Sequence, residues 1–491
     1  METVISMDPF NAMEGDEAAT RLDKAVLPLV RTHPAESGVA TLSDGRDAFA
    51  ARVLLADAAE RSVDAQYYLW RSDKTGTLLF DALYRAAERG VRVRLLLDDN
   101  NTTGQDDLLA ALNAHPNIEV RLFNPFRFRR WRALGYLTDF ARLNRRMHNK
   151  VFIADNEATI VGGRNIGDEY FDAGDSPWFI DLDVLAVGQI VKEVASDFER
   201  YWESQSAWRA DRVLTAVDRT AIAKLVTAAS QVRHNPAAQT YIRALAKRPF
   251  VDELLAGRLS LEWADTRLVS DDPAKGLGRA AGDMLLWPQL QREVGEPKRE
   301  LELVSPYFVP TKTGMALFTD SVMRGVRISV LTNSLEATDV AVVHAGYAKW
   351  RKLLLKAGVR LFELKRLSSP PTVRDRGLTG HSASSLHAKI ISVDRARIFI
   401  GSLNFDPRSA TFNTEMGFVI NSPRLAGAVA DALAEDLSGR LYKVSLNDAG
   451  ALQWEEQRGG KRLTHAKEPD AGFWRRTLVL VMSMLPIEWL L

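Results

Sequence analysis

The sequence predicts an α/β protein made of two tandem α/β/α sandwich domains, with mixed sheets related by a pseudo-twofold axis. Two observations carry this. The same run of elements occurs twice in the same order at nearly constant spacing. Within each copy, helix-period stretches closed by glycine lead into short apolar runs of strand type. A third observation sets the scale: 491 residues, 46% hydrophobic and 26% charged, exceed one ordinary core and suit two or three domains.

The first copy holds SVDAQYYLW from Ser62, RGVRVRLLLDDN from Arg89 and HNKVFIADNEATIVGGRN from His148. The second holds LELVSPYFV from Leu301, RGVRISVLTNS from Arg324 and HAKIISVDRARIFIGSLN from His387. Arg89 and Arg324 stand 235 residues apart, His148 and His387 239 apart. A fainter pair, VATLSDG at Val39 and TRLVSDD at Thr266, opens each copy. LLFDALYRAAERG and MALFTDSVMRG read as helices ending on Gly90 and Gly325, each followed by a buried strand. KVFIAD with ATIVGG, and KIISVD with RIFIGS, read as hairpins. The expected organisation is a first domain over 1–208, a helical connector over 209–258, a second domain over 259–472 and a C-terminal segment over 473–491.

Composition excludes several classes. With 64 basic and 63 acidic side chains the net charge is +1, which argues against a nucleic-acid substrate. There is no cysteine, so disulfides, Cys-based zinc sites and Cys nucleophiles are ruled out. Acids and bases interrupt residues 1–30, and no signal-peptide apolar stretch fits there. The end of the chain, FWRRTLVLVMSMLPIEWLL, has eleven apolar-type residues from Thr477 to Ile487. As a helix these cover about 17 Å, short of a bilayer core of roughly 30 Å. The segment suits the membrane interface, with Trp474 and Trp489 at headgroup level, or a terminal helix docked on the core.

The chemistry lies in His-x-Lys-x4-Asp-x6-Gly-x-x-Asn, present at His148 and again at His387. Two residues apart on a strand, His148 and Lys150 point to one face, as do His387 and Lys389. A sheet core does not favour an imidazole and an ammonium together. Lysine is a poor metal ligand at neutral pH, so no metal site is expected. An anionic phosphate fits better: Lys150 and Lys389 supply charge, Asn165 and Asn404 supply donors. Neither copy alone has two such histidines, so the copies should meet face to face around one shared site.

These residues resemble the phospholipase D superfamily, whose members carry the doubled motif. With LLLDDNNT, FNPF, RRMHNKVFIAD, VGGRNIGDEYF, LTNSLEATDVAVVHAGYA, GSLNFDPRS, NTEMGFVI and LPIEWLL, the chain looks like bacterial cardiolipin synthases, the cardiolipin synthase C group in particular. The resemblance implies a phosphatidyltransferase acting through a phosphohistidine, with His148 attacking and His387 serving as acid and then base. It also implies an orienting acid for each ring: Glu415, 28 residues after His387, and Asp181, matched to it through Gly188 and Ser422, with Asp183 as a rival. Asp155 and Asp394 complete the motif and are expected to hold the hairpin turn. The second copy has Gly401-Ser402 where the first has Gly162-Gly163. If Ser402 donates to phosphate the halves are not equivalent, and the choice of attacking histidine is open.

A phosphohistidine needs no nucleotide, so no cofactor is expected. The implied substrates are phosphatidylglycerol and a second phospholipid such as phosphatidylethanolamine. The implied place is the bacterial inner membrane, peripherally and at the cytoplasmic face. Residues 124–148 interleave Phe126, Phe128, Trp131, Tyr136 and Phe140 with seven arginines, and read as a cationic, aromatic lip for anionic headgroups. A phospholipase D-type phosphodiesterase and a non-catalytic membrane scaffold are the alternatives.

Overall fold

The computed structural model describes residues 19–174, 178–217, 220–246, 253, 256–368, 383–435 and 439–483. The first sheet has nine strands in the order Glu262–Ala264, Ser37–Leu42, Asp183–Gly188, Ala158–Gly162, Lys150–Ala154, Ser62–Tyr67, Arg92–Asp98, Ile118–Phe123 and Ala207–Arg209. The second runs Thr266–Ser270, Met416–Ile420, Arg397–Gly401, Ile390–Val393, Glu300–Val304, Arg327–Asn333 and Arg360–Leu364, then adds Leu441–Leu446, Leu452–Arg458 and Lys461–His465. Seven positions correspond one to one. The three central strands of each set are parallel and their flanks antiparallel, so both sheets are mixed. The faint opening repeat occupies equivalent places: Ser37–Leu42 and Thr266–Ser270 each pair with the strand that follows an acid of the site.

Strand alternation explains why the motif strands read as unbroken apolar runs. Phe152, Ala154 and Ile160 pack against the first domain's own helices, while Val151, Ile153 and Val161 face the other way. In the second domain Ile391, Val393 and Phe399 face home, and Ile390, Ile398 and Ile400 face across. The outward sets meet in one buried cluster shared by both halves, with helices Gln189–Trp202 and Pro423–Glu435 filling the same layer. A sheet buried on both faces reads as near-continuous apolar runs.

The helices end as the glycines predict. Lys74–Glu88 and Thr311–Met323 stop at Arg89 and Arg324, and Gly90 and Gly325 then take φ of 94° and 89°. Asp155 and Asp394 hold the far ends of their hairpins at φ of 51° and 55°. Asp155 accepts from the backbone N–H of Glu60, Arg61 and Ser62, and Asp394 from Lys298, Arg299 and Glu300. About 16 Å of strand separates Asp155 from Lys150 at roughly 3.3 Å per residue. Grouped with the catalytic residues by motif, both aspartates instead clamp a turn at the opposite strand end. Asp155→Ala is therefore expected to cost about 1–3 kcal/mol of stability, read by denaturant unfolding, with kcat near wild type. A large loss of kcat in protein that remains folded would put Asp155 back in the chemistry.

Candidate active site

Each histidine enters just before a central strand, and its backbone is held by the other half. The His148 N–H donates to Thr414 O at 2.9 Å, and Thr414 N–H returns to Arg146 O at 2.9 Å. Reciprocally, His387 and Ala388 donate to Ile180 O at 2.8 and 3.0 Å, where Trp178–Ile180 runs parallel to Ala383–Leu386. Thr414 and Ile180 immediately precede Glu415 and Asp181. Each acid is thus carried across the interface: Glu415 Oε2 lies 2.8 Å from His148 Nδ1, and Asp181 Oδ2 lies 2.5 Å from His387 Nδ1. Counting along the chain attaches each acid to its own copy, but in space the pairs cross.

Equivalent strand ends fix the residue before each ring. Asp98 Oδ2 accepts from Met147 N–H at 2.8 Å, and Asn333 Oδ1 accepts from Leu386 N–H at 2.9 Å. Lys150 donates to the carbonyl of His148, and Lys389 to that of His387. With both Nδ1 atoms occupied, Nε2 of each ring is left for chemistry. The two histidines, the two lysines, Glu415 and Asp181 are all buried.

Burial sets the electrostatics. It pushes His148 well below the ordinary imidazole value, reinforced by Lys150 and Lys389. Burial and Lys389 also lower His387, but Asp181 pulls the other way. Burial raises Glu415 to about 7, against Lys150, Ser402 and Ser409. Burial pushes Asp181 up too, yet His387 and Lys389 win and hold it below the usual carboxylate range. The ammonium of Lys150 falls well below its ordinary value and that of Lys389 to about 8, both through burial. Thus His387, backed by an ionised aspartate, is the more readily protonated ring, and His148 the more readily neutral one.

Ser402 explains the broken symmetry differently from a phosphate contact. Its hydroxyl donates to Glu415 Oε2 and accepts from Met416 N–H at 3.0 Å. On the other side, a Cβ at Gly163 would overlap Asp181 Oδ1. The longer acid is braced by a serine, and the shorter one lies where only glycine leaves room. Asp183, the rival acid, is bound to Arg52 at 2.8 Å and accepts from Arg164 N–H. Asn165 Nδ2 donates to the Tyr170 hydroxyl at 3.0 Å, and Oδ1 of Asn165 and of Asn404 is buried without a partner among the described residues.

Several neighbours escaped motif counting. Tyr170 and Phe179 pack on the His387 ring at 5.2 and 5.0 Å, and Tyr68 packs on His148 at 4.9 Å. Ser409 donates to Glu415 Oε1 at 2.7 Å. Tyr170 and Ser409 each lie 22 residues after their motif histidine, so the repeat itself could have pointed to them. Asp271, in the faint opening repeat TRLVSDD, accepts from Glu415 N–H and pairs with Lys275 at 2.8 Å. His344, within a stretch shared with the family, is buried beside Arg351 and Glu468 in the core.

The region 124–148 is turned around relative to expectation. Arg129 pairs with Asp99 and Asp106, Arg132 with Asp99, Arg142 with Asp139, and Arg146 with Asp98, while Arg145 reaches Thr411 O. Only Arg127 and Arg130 of the seven have no partner among the described residues. Most of the arginines anchor the segment to the protein, and Phe128, Trp131, Leu134, Leu137 and Phe140 point to solvent, while Phe126, Leu143 and Met147 are buried. The C-terminal helix Phe473–Ser483 buries Val479 against Leu335 and Ala345 and exposes its other side, while residues 484–491 lie outside the described ones. No helix among the described residues is long and apolar enough to cross a membrane.

A doubled His-Lys site at the seam of two such sandwiches defines a phospholipase D-type enzyme, and comparison with known proteins agrees. The family model described as "Cardiolipin synthase, PLD-like domain" matches residues 53–202 and 290–437. Cardiolipin synthase C of Escherichia coli K12 is 51% identical over 473 residues, 96% of this chain and 100% of that protein. The major cardiolipin synthase of Bacillus subtilis 168 is 25% identical, covering 82% of this chain and 69% of that one. Among solved structures, phosphatidylserine synthase of Haemophilus influenzae Rd KW20 superposes with a TM-score of 0.58 at 14% identity, over 96% of this chain and 100% of that one, a likeness of fold. The chain belongs to the cardiolipin synthase family with phospholipase D-like domains.

Proposed function

We propose that this site transfers a phosphatidyl group from one phospholipid to the free hydroxyl of phosphatidylglycerol, giving cardiolipin. The observation that carries the reading is the reciprocal pair of histidines, each with Nδ1 bound by an acid of the opposite half and Nε2 free. His148 Nε2 attacks phosphorus and the bond to the leaving alcohol breaks as His387 Nε2 gives that oxygen its proton. Glu415 accepts the Nδ1–H of His148 and stabilises the ring as it gains charge. The acceptor hydroxyl then passes its proton to His387 and attacks phosphorus, releasing His148. Lys150, Lys389, Asn165 and Asn404 face the phosphate oxygens. One phosphodiester replaces another, so no energy source is required. With two phosphatidylglycerols the products are cardiolipin and glycerol.

Water is the competitor, and transfer wins where the acceptor is prepositioned and water excluded. The buried site and a lipid acceptor drawn from a membrane suit that requirement. A peripheral place on the cytoplasmic face of the bacterial inner membrane accompanies this reading. The test is to incubate purified enzyme with labelled phosphatidylglycerol, with and without phosphatidylethanolamine, and analyse the lipids. Cardiolipin should accumulate with release of glycerol or ethanolamine. Phosphatidic acid as the sole product would make the protein a hydrolase.

The shifted groups set the pH dependence. Below about 7, Glu415 takes up a proton and His148 loses its anionic acceptor. Above about 8, Lys389 gives up the charge that faces phosphate. The kcat/KM profile is expected to be bell-shaped, its acid limb carrying Glu415 and its alkaline limb carrying the lowered His387, which must hold the proton for the leaving oxygen, and then Lys389. Lys389→Arg cannot deprotonate in this range and is expected to remove the part of the alkaline fall near 8, leaving the part due to His387. An unchanged alkaline limb in that variant would assign it to another group.

A further inference from the structure

Two apolar elements remain uncovered, and they stand at equivalent places in the two halves. In the first, Trp131 is 71% exposed and Leu137 82%, with Phe128, Leu134 and Phe140 also exposed around helix Arg132–Thr138. In the second, Trp474 is 81% exposed on helix Phe473–Ser483, along with Phe473, Leu478, Leu480 and Val481. Large apolar side chains gathered on one short element, unlike single exposed ones, mark an interaction site.

Both elements hang from the loop after the same strand. Beyond Arg92–Asp98, Asn100 Oδ1 accepts from the Tyr136 hydroxyl at 2.8 Å, and Asn101 donates to the carbonyl of Tyr68, whose ring packs on His148. Beyond Arg327–Asn333, Leu335 packs on Val479, and the carbonyl of Thr338 accepts from Arg475. The neighbouring Asp339 takes the Tyr307 hydroxyl at 2.7 Å. Asp98 and Asn333 are the strand-end residues that hold Met147 and Leu386 beside the histidines. A twofold relation keeps equivalent strand ends on one side of the molecule, so both apolar elements lie at the strand ends that hold the histidines.

We infer that the chain docks on an anionic bilayer by these two elements together, setting the mouth of the site against the lipid surface. The bilayer is favoured over a second copy of the chain by charge and position. Arg127 and Arg130 are exposed beside the first element with no carboxylate partner among the described residues, so they complement anionic headgroups. Aromatic and leucine side chains next to cations, on short helices, suit the headgroup boundary. The inference rests on a phospholipid substrate for the site, but contact with lipid can be read without turnover.

The absence of cysteine permits a direct test. Leu137→Cys and Leu480→Cys, each labelled with an environment-sensitive fluorophore in the full chain, are mixed with phosphatidylglycerol vesicles. Met323→Cys is the control, because Met323 is 76% exposed but ends the helix leading into the opposite end of its strand. The emission of both 137 and 480 labels should shift to the blue, and more weakly in high salt, while the 323 label stays unmoved. A silent label at either 137 or 480, or an equal shift at 323, would overturn the inference. So would a blue shift that appears with protein concentration alone, without vesicles, which would assign the face to a second copy.

Discussion

Replacing either histidine by alanine is expected to lower turnover of phosphatidylglycerol by about 10⁴-fold or more, yet the two variants should fail at different steps. His148→Ala lacks the nucleophile, so no intermediate forms. His387→Ala keeps the nucleophile but cannot protonate the leaving oxygen. A donor whose leaving group needs no proton separates them. With a p-nitrophenyl ester of phosphatidic acid, His387→Ala should release one equivalent of nitrophenolate in a burst and then stall, while His148→Ala releases none. The reverse pattern would exchange the two roles. The electrostatics favour the stated order: His148 is pushed well below its ordinary value with two ammonium groups facing it, whereas His387 has the ionised Asp181 behind it.

The second large effect comes from the acids, and it tests the crossing. Asp181→Asn is expected to reduce kcat about 10³- to 10⁴-fold with little change in KM, because an amide cannot hold the ring in the same tautomer or stabilise its charge. Glu415→Gln should act in the same direction. Asp181 lies on His387 and Glu415 on His148, so the nitrophenyl donor again divides them. Asp181→Asn should leave the burst intact, and Glu415→Gln should slow it as His148→Ala abolishes it. Acids serving the histidine of their own copy would give the opposite assignment. Thermal unfolding of both variants checks that the buried changes leave the fold in place.

The doubled motif was legible because the repeat supplied its own control: each His-Lys pair could be read against the other. The sheets were legible for a related reason, since a strand covered on one face by helices and on the other by the partner sheet is largely apolar, as Val151, Phe152 and Ile153 and Ile390, Ile391 and Val393 are. Spacing along one copy carries no information about which ring an acid reaches across the seam. That depended on Thr414 and Ile180 exchanging backbone hydrogen bonds with the opposite histidine strand. Ser402 was visible as a difference, but its role depended on the one-carbon difference between Glu415 and Asp181. Five of the seven arginines of residues 124–148 turn out to be held by the protein, which composition does not reveal because it shows charge and not its partner. Asp98, Asp99 and Asp106 come from the preceding strand and helix, and they turn the guanidinium groups inward.

The most direct test of the account is the position of the covalent intermediate. Wild-type enzyme is mixed with radiolabelled phosphatidylglycerol for a single turnover, quenched in alkali to preserve phosphoramidates, and digested for mass spectrometry. The label is expected on the peptide containing His148, and it should chase into cardiolipin when unlabelled phosphatidylglycerol is added before the quench. Label on His387, or no adduct at any time during turnover, would contradict it.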